Sequence, residues 1–592
     1  MTAECVVETD VLVIGGALSG LFASIKARDE GVQVVLVDKG YVGRSGAAVG
    51  SDRISVFNPD WGHDLKDWMD EVAVIGDYMN SPEMTEITLR ESYDRYLDLV
   101  EWGVTFPRGK DGELIPFPHP PYGGVLQSYL HNWKDTLPVL RKRAVESGVT
   151  ILDRIMVTDL LKHDGRVTGA VGFHCISGDF CVVKSRATVQ CTGTGILEAS
   201  SRNYLSQSTY EGEAFAYRAG AEISGKEFSI LGACPYSYIP AKFGYGGKGD
   251  DAKVSLVGKE IKPAPPGSGS QYSMLVDKHL DSEGYKVNRS TIPAAVHLGR
   301  APFIWNVDDI TPEEVSDLFE SGIVAESDVG LDLRQGGLYQ AKIRFEEYIG
   351  WAVVDASGIA AVDTEGGTNL LGLFAAGDAY NSRAGGAQYP FTGFGTRNAM
   401  VLGARAGRRA AAFAKHAGTA EADPAQVARL RGSSFAPLER QSGFDAEWIR
   451  LQLRTLMSPY YILYIKHGER LKAALTLIEF IKDHLGPLMY AKPADSHGLR
   501  LAHEAKGGVT GMEMMLRAAL FRTESRGVHY REDYPFRDDP DWLAEVIIKD
   551  NDGQMQLEKR PLPRKDWPDL TMQYGERYPL EYLGEESLRR SK

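Results

Sequence analysis

TDVLVIGGALSGLFASIKARDEGVQVVLVDK, residues 9–39, sets strand, glycine turn, helix and second strand in succession and ends the second strand on an acid. Val11–Ile14 is a short, largely β-branched apolar run, and Gly15 permits the tight turn that points a helix N-terminus at a pyrophosphate. Gly20 lets that helix pack close to its strand. Asp38 closes the strand Val32–Val37 where a carboxylate accepts hydrogen bonds from a ribose diol, so the segment predicts a dinucleotide clamp. One position departs from G-x-G-x-x-G. Ala17 stands where the middle glycine ordinarily lets backbone approach phosphate, and its methyl weakens the match. The alternative for the same pattern is an ordinary βαβ turn without a ligand.

Composition narrows the function classes. The chain has 592 residues, 43% of them hydrophobic, enough for a sizeable core and more than one domain. A formal net charge of −14 offers no basic stripe to nucleic acid. No apolar run approaches the ~18 residues that span a bilayer, and MTAECVVETD lacks the charged and apolar regions of a signal peptide, so the cytoplasm is the expected compartment. Cys5, Cys175, Cys181, Cys191 and Cys234 are scattered without C-x-x-C spacing, so neither an iron–sulfur centre nor a zinc site is expected in this chain.

Further along, residues 65–103 alternate acidic and apolar residues at helical spacing, with Asp64 or Ser81 as N-caps and Gly103 as a stop. Residues 106–124 are rich in proline and glycine and predict a loop or small hairpin. Residues 149–193 predict strands joined by turns at Asp164-Gly165 and Ser177-Gly178-Asp179, the last strand running into Thr192-Gly193. From about Phe228 to Tyr348 the glycine-rich FGYGGKGDD and APPGSGS suggest an inserted domain. Thr368–Asp378 predicts another buried strand, ending in Gly377-Asp378. The pattern from Phe435 to about Ile548 is helical and is followed by a polar tail.

This order of motifs resembles the flavoprotein subunits of succinate dehydrogenase and fumarate reductase, with L-aspartate oxidase and the adenylylsulfate reductase α subunit, over nearly the whole chain. The resemblance rests on VLVIGGALSG with Asp38, GRSGAAVG at 43–50, ATVQCTGTG at 187–195, STYEGEAFAYRAGAEI at 208–223, GLFAAGD at 372–378 and RTESRGVHYREDYPFRDD at 522–539. It implies an α/β fold: a Rossmann-like FAD-binding domain at 1–230 and 350–434, an inserted α+β capping domain at 231–349, and a C-terminal helical domain and tail at 435–592. It also implies FAD as cofactor. The residues it assigns to FAD are Gly15, Ala17, Leu18, Ser19, Gly20, Asp38, Lys39, Arg44, Ser45, Gly46, Ala47, Thr192, Gly193, Glu211, Gly377, Asp378, Asn398 and Ala399. In the succinate enzymes a histidine near GRSGAAVG tethers the cofactor. Here Arg44 or Ser45 holds that place, so noncovalent FAD is expected. The helix 398–416, with Thr396 as cap, would set its positive end against the flavin's pyrimidine edge. Arg405, Arg408 and Arg409 read as a solvated face of that helix.

The dicarboxylate machinery of the family is altered. Ser229 replaces the histidine of QFHPTG, Ala241-Lys242 lies where a Thr-Glu pair is expected, Glu347 replaces a second histidine, and the arginine of HGANR falls on Tyr389. Loss of a bidentate guanidinium, with Glu347 nearby, makes succinate and fumarate poor substrates. Within SEGYKVNRSTIPAAVHLGR at 282–300, Arg289, with Arg300 as fallback, matches the arginine thought to deliver a proton. Arginine is almost always protonated, so that role needs a relay to replace its proton; otherwise Arg289 pairs with a surface acid. Glu347, Tyr348 and Tyr389 are candidates for substrate orientation or acid–base work, whereas His297 and His529 read as structural.

The expected activity is hydride transfer between FAD and an organic substrate, by reduction of an activated C=C bond or the reverse desaturation. Two alternatives stay open. One is a subunit like the adenylylsulfate reductase α chain, which would need an iron–sulfur or ferredoxin-like partner. The other is a flavin electron-transfer or tRNA-modification subunit whose partner does the chemistry, although the acidic charge argues against RNA.

Overall fold

The structure, a computed structural model, describes residues 4–50, 53–106, 117–118, 126–130, 133–195, 209–228, 357–388, 390, 393–457, 459–463 and 465–578, with the backbone of short strands between 232 and 349. The opening segment forms β1 (Glu4–Ile14), α1 (Leu18–Asp29) and β2 (Val34–Asp38). Then come β3 (Thr150–Asp153), β4 (Ile155–His163), β5 (Arg166–His174), β6 (Phe180–Gln190) and β7 (Leu373–Ala375). These strands make one sheet in the order β3-β2-β1-β6-β5-β4, with β7 beside the carboxyl half of β6. The pairs β3–β2, β2–β1, β1–β6 and β6–β7 are parallel, whereas β6–β5 and β5–β4 are antiparallel. All five residues of β2 are buried, as parallel strands covered on both faces require. The turns at Asp164-Gly165 and Ser177-Gly178-Asp179 stand where expected.

α2 (Phe394–His416) lies directly on α1. Methyl groups built on Gly403 and Gly407 would stand 2.4 Å from the Ser19 carbonyl oxygen and 2.2 Å from that of Ala23, so only glycine allows this crossing. The helix starts earlier than Asn398, because left-handed Gly393 (φ +79°) rather than Thr396 precedes its first turn. Arg408 and Arg409 are exposed, but Arg405 is half-buried, ion-paired with Glu91 and bonded to the Thr364 carbonyl at 2.7 Å. The 65–103 region forms three helices, Leu65–Ile75, Pro82–Arg90 and Ser92–Glu101. Both expected caps are present, the Asp64 carboxylate accepting from Lys66 N–H and the Ser81 hydroxyl from Met84 N–H.

Helices Pro424–Glu439, Ala446–Met457 and Gly468–Phe480 follow, and then α3 (Ser496–Phe521), which packs with the second and third of them around a separate apolar core. Two expectations need correction. The buried strand expected over 368–378 is only the three residues of β7, and Gly377–Ala379 is a single tight helical turn. The C-terminal region is not helical through Ile548, because β8 (Ala544–Asn551) and β9 (Gln554–Pro561) form a hairpin. Its turn is Asp552-Gly553, both left-handed (φ +52° and +81°), a two-residue connection that fits the twist of paired strands. β8 pairs with Ile223–Ser224, tying the C-terminal region to the first half of the chain.

The tie is reinforced by buried charge. Arg522 donates to Glu227 (2.9 Å), Glu524 (2.7 Å) and the carbonyls of Trp542 and Ala544. Arg526 donates to both Glu524 oxygens, to Asp539 and to the Asp77 carbonyl (3.0 Å), and Arg537 donates to the Asp77 carboxylate (2.7 Å). Arg522, Glu524 and Arg526 have no exposed surface. Replacing Arg526 by Met would leave Glu524 and Asp539 short of donors where water cannot reach, and such losses cost about 3–5 kcal/mol. Chemical denaturation of R526M should show a destabilisation of that order, and an unchanged midpoint would refute this role.

Candidate cofactor and substrate site

Ile14, Gln190 and Ala375 are register partners on three adjacent parallel strands. The turns Gly15-Gly16, Thr192-Gly193 and Gly377-Asp378 therefore leave the sheet together at its carboxyl edge, where open α/β sheets hold ligands. Gly15 turns with φ +105°, and a methyl there would stand 2.3 Å from the Cys191 carbonyl oxygen. α1 begins at this turn with no side-chain cap and no acid in its first turn, leaving the amides of Leu18, Ser19 and Gly20 as donors suited to a pyrophosphate.

Ala17 fits the cradle better than its sequence suggests. Its backbone is extended (φ −86°, ψ −162°), a conformation open to any residue. Its methyl faces Gly46, where an added Cβ would come within 2.8 Å of it. The space normally kept by the middle glycine is kept here by a glycine on the opposite wall, in the segment Arg44–Ala47. Gly377 passes over Ser19, its absent Cβ position lying 2.6 Å from the Ser19 hydroxyl and 3.9 Å from the Ala399 Cα. The first turn of α1, the Gly377-Asp378 turn and the start of α2 thus meet at one place.

Asp38 fastens this frame. Its carboxylate accepts from Gly16 N–H (2.7 Å), Gly40 N–H (2.7 Å) and the Ser45 hydroxyl (2.8 Å), and the lone pair left on Oδ1 suits a ribose hydroxyl. Lys39 and Glu211 pair with each other at 2.6 Å, and Lys39 also donates to Thr209 (2.7 Å) and to buried Glu504 (3.1 Å) on α3. Arg44 is exposed beside the Tyr41 ring. Asp378 is enclosed by protein although one side stays open, and burial pushes its carboxyl up to about 7. Asn398 is buried, and its side-chain carbonyl accepts from Arg397 Nε at 3.3 Å. Every residue assigned to the cofactor thus lies among the described residues and borders this edge of the sheet or the helices that start there. The donor set, the uncapped helix start and the glycine clearances fit a flavin dinucleotide.

Three residues escaped the sequence analysis. Gln190, at the end of β6, donates to Thr192 Oγ1 and the Gly212 carbonyl while its own amide oxygen accepts nothing among the described residues. Gln388 is buried beside Tyr389, its amide nitrogen unused among the described residues. Arg397, fully buried, stacks on Phe394 and reaches Ser55 and Thr88. The signals were motif places, GGAQY for Gln388 and ATVQCTGTG for Gln190; nothing in the pattern marked Arg397. Arg289, Arg300, His297, Ser229, Ala241-Lys242 and Tyr389 lie outside the described residues. Glu347 and Tyr348 are seen as backbone in the strand Ile343–Ile349, where Tyr348 pairs with Ala233.

Two outcomes are expected from this geometry. Gly46→Val should sharply lower FAD content at unchanged secondary structure, since its side chain would meet Ala17 at a left-handed residue (φ +75°); full occupancy by absorbance would contradict it. Asp378 has a folded pKa of about 7, above the unfolded value, so its contribution to stability is present in acid and is lost as pH rises through 7. Flavin-free D378N should therefore melt like the parent at pH 4 and above it at pH 8, and equal melting at both would remove the effect.

Known proteins match the chain over most of its length. Residues 10–390 match the FAD binding domain family, and residues 450–578 match the fumarate reductase flavoprotein C-terminal family. The chain is 24% identical to a subunit of the CoM/CoB fumarate reductase of Methanothermobacter marburgensis, covering 91% of this chain and 97% of that one. It is 24% identical to the fumarate reductase flavoprotein subunit of Mycobacterium tuberculosis, covering 96% and 99%. Among solved structures, E. coli quinol fumarate reductase FrdA aligns with a TM-score of 0.79 at 19% identity over 96% of this chain and 98% of that one. Adenylylsulfate reductase from Archaeoglobus fulgidus aligns at 0.77, with 21% identity over 95% and 97%. No helix among the described residues is long and apolar enough to cross a membrane. With its glycine turns, acid-ended second strand and C-terminal region all matched, the chain belongs to the FAD-dependent oxidoreductases of the succinate dehydrogenase and fumarate reductase flavoprotein family.

Proposed function

We propose that the protein binds FAD noncovalently and transfers hydride between flavin N5 and an organic substrate other than succinate or fumarate. The reaction is reduction of an activated C=C bond or the reverse desaturation. When bound, the flavin supplies the hydride chemistry. The chain's own groups do the rest: the first-turn amides of α1 hold pyrophosphate, Asp38 holds ribose, and Asp378 accompanies the ribityl chain. The observation that carries the substrate part is the neutral character of the 385–389 loop. Buried Gln388 offers an amide donor unused among the described residues, and Tyr389 stands where dicarboxylate enzymes place arginine. A carbonyl or amide oxygen suits such donors, whereas a free carboxylate calls for a guanidinium. Arg289 remains the proposed proton donor to substrate, with Glu347, Tyr348 and Tyr389 orienting it.

Exposed Arg44, and Ser45 engaged with Asp38, stand in place of a tethering histidine, which supports noncovalent binding. Relatives named as subunits support an iron–sulfur, ferredoxin-like electron-transfer partner, because the cysteines of this chain have no cluster spacing.

Acid precipitation should release free FAD into the supernatant; flavin retained in the pellet would overturn noncovalent binding. Reduced anaerobically, the protein should be reoxidised by enones or enoate esters and amides at least about tenfold faster than by fumarate, the ratio expected if the lost carboxylate contacts together are worth about 1.4 kcal/mol. Equal or faster reoxidation by fumarate would overturn the substrate assignment.

A further inference from the structure

Behind the 385–389 loop lie three buried polar side chains from distant parts of the chain. Val528 N–H donates to the Ala387 carbonyl (3.2 Å), and Lys466 Nζ donates to the Val528 carbonyl over a long 3.4 Å, its one hydrogen bond among the described residues. The next residue, His529, meets Phe228 edge-on at 6.5 Å, and Phe228 adjoins Glu227. Lys466, His529 and Glu227 are each at most 1% exposed.

Their hydrogen bonding is incomplete in a complementary way. His529 is held neutral by burial and by the cations Lys466, Arg522 and Arg531 around it. Its Nε2–H donates to the Arg522 carbonyl (3.3 Å), which leaves Nδ1 as an acceptor with nothing to accept among the described residues. Glu227 receives Arg522 on one oxygen, while its other oxygen is likewise unused among them. Two buried acceptors and an under-used ammonium supply the kinds of partner a bridging water needs, and Lys466 interacts electrostatically with both His529 and Glu227.

We propose that Lys466, His529 and Glu227 form a buried proton-holding group that passes a proton from Lys466 Nζ, through a bridging water, toward the substrate side of the cleft. An N–H bond of the ammonium breaks as an O–H bond of the water forms, the water gives up another of its protons toward the proton donor at the substrate, the amine is left neutral, and solvent returns the proton in the next cycle. Lys466 suits this because it can lose a proton at neutral pH. Burial first, then Arg531 on the paired strand, bring its ammonium down to about 7, with Glu227 opposing them. Arg531 is itself held by Asp533, and Arg522 by Glu227 and Glu524, so neither arginine is available to titrate in its place. An arginine acting as proton donor needs its own proton replaced, and the proposed group would supply it. Lys466, His529 and Glu227 are positioning residues, since they act through water and a neighbouring donor.

The proposal rests on the function proposed above, from which it takes a bound, reducible flavin and a proton donor at the substrate. Reduction adds negative charge to the cleft and raises the proton affinity of a nearby amine. In anaerobic electrochemical titration of the FAD-loaded full chain, protons taken up per two electrons should exceed the flavin's own uptake by about half a proton near pH 7. The excess should vanish in Lys466→Met and also in Lys466→Arg, which keeps the cation and gives a second chance at a folded variant. In Glu227→Gln it should persist but move to lower pH, because an anion that favours the ammonium is gone. A wild-type excess that survives in Lys466→Arg, or no excess in the wild type, would overturn the proposal while leaving the flavin reading intact. A protein that binds no reducible flavin would overturn both.

Discussion

Arginine side chains without solvent impose the strongest constraint on this molecule. A guanidinium cannot shed its proton and must be met by carboxylates and carbonyls in a fixed planar arrangement. Arg522 and Arg526 can be satisfied only if Glu227, Asp77, Glu524, Asp539 and the carbonyls of Trp542 and Ala544 arrive together. Those partners come from the first helical region, from the turn Lys226–Phe228, from the segment after α3, and from the hairpin near the C-terminus. The network therefore works as a registry device more than as a source of net stabilisation. It fixes where the C-terminal region sits on the parallel sheet, and with it the Ala387 loop, which Val528 holds through its backbone. Asp77 and Tyr78 show the cost locally, as two successive non-glycine residues in left-handed conformations (φ +49° and +57°).

The cofactor edge has a different origin. In-register parallel strands deliver their carboxyl ends to a common line, so three glycine turns far apart in sequence become neighbours without long-range side-chain contacts. Close packing of α2 on α1 through Gly403 and Gly407 then brings the start of α2 against the same turns. Sheet register provides the place, and helix contact provides its depth.

Local signals carried most of the legible fold. The βαβ unit, the turns at Asp164 and Ser177, and the caps at Asp64 and Ser81 depend on neighbours in the chain, and each stands as its residue types predict. The hairpin at Ala544–Pro561 was legible too, since Asn551-Asp552-Gly553 is a turn signal between alternating segments, but the helical period before it was carried too far. Arg397 could not be found this way, and Gln190 was marked only by its place in ATVQCTGTG, not by its contacts. Their partners, Thr88 and Ser55 for one and Gly212 for the other, are set by tertiary packing that leaves no periodic trace. The pairing of Lys39 with Glu504 spans most of the chain and was equally invisible.

The meeting of Ala17 and Gly46 also bears on how such chains are found. A phosphate cradle needs a certain free volume, and either of two facing positions can supply it. A search pattern that insists on glycine at the third place of the fingerprint tests one wall only. It would pass over every chain that empties the opposite wall instead, and the two positions are expected to vary as a linked pair across such sequences.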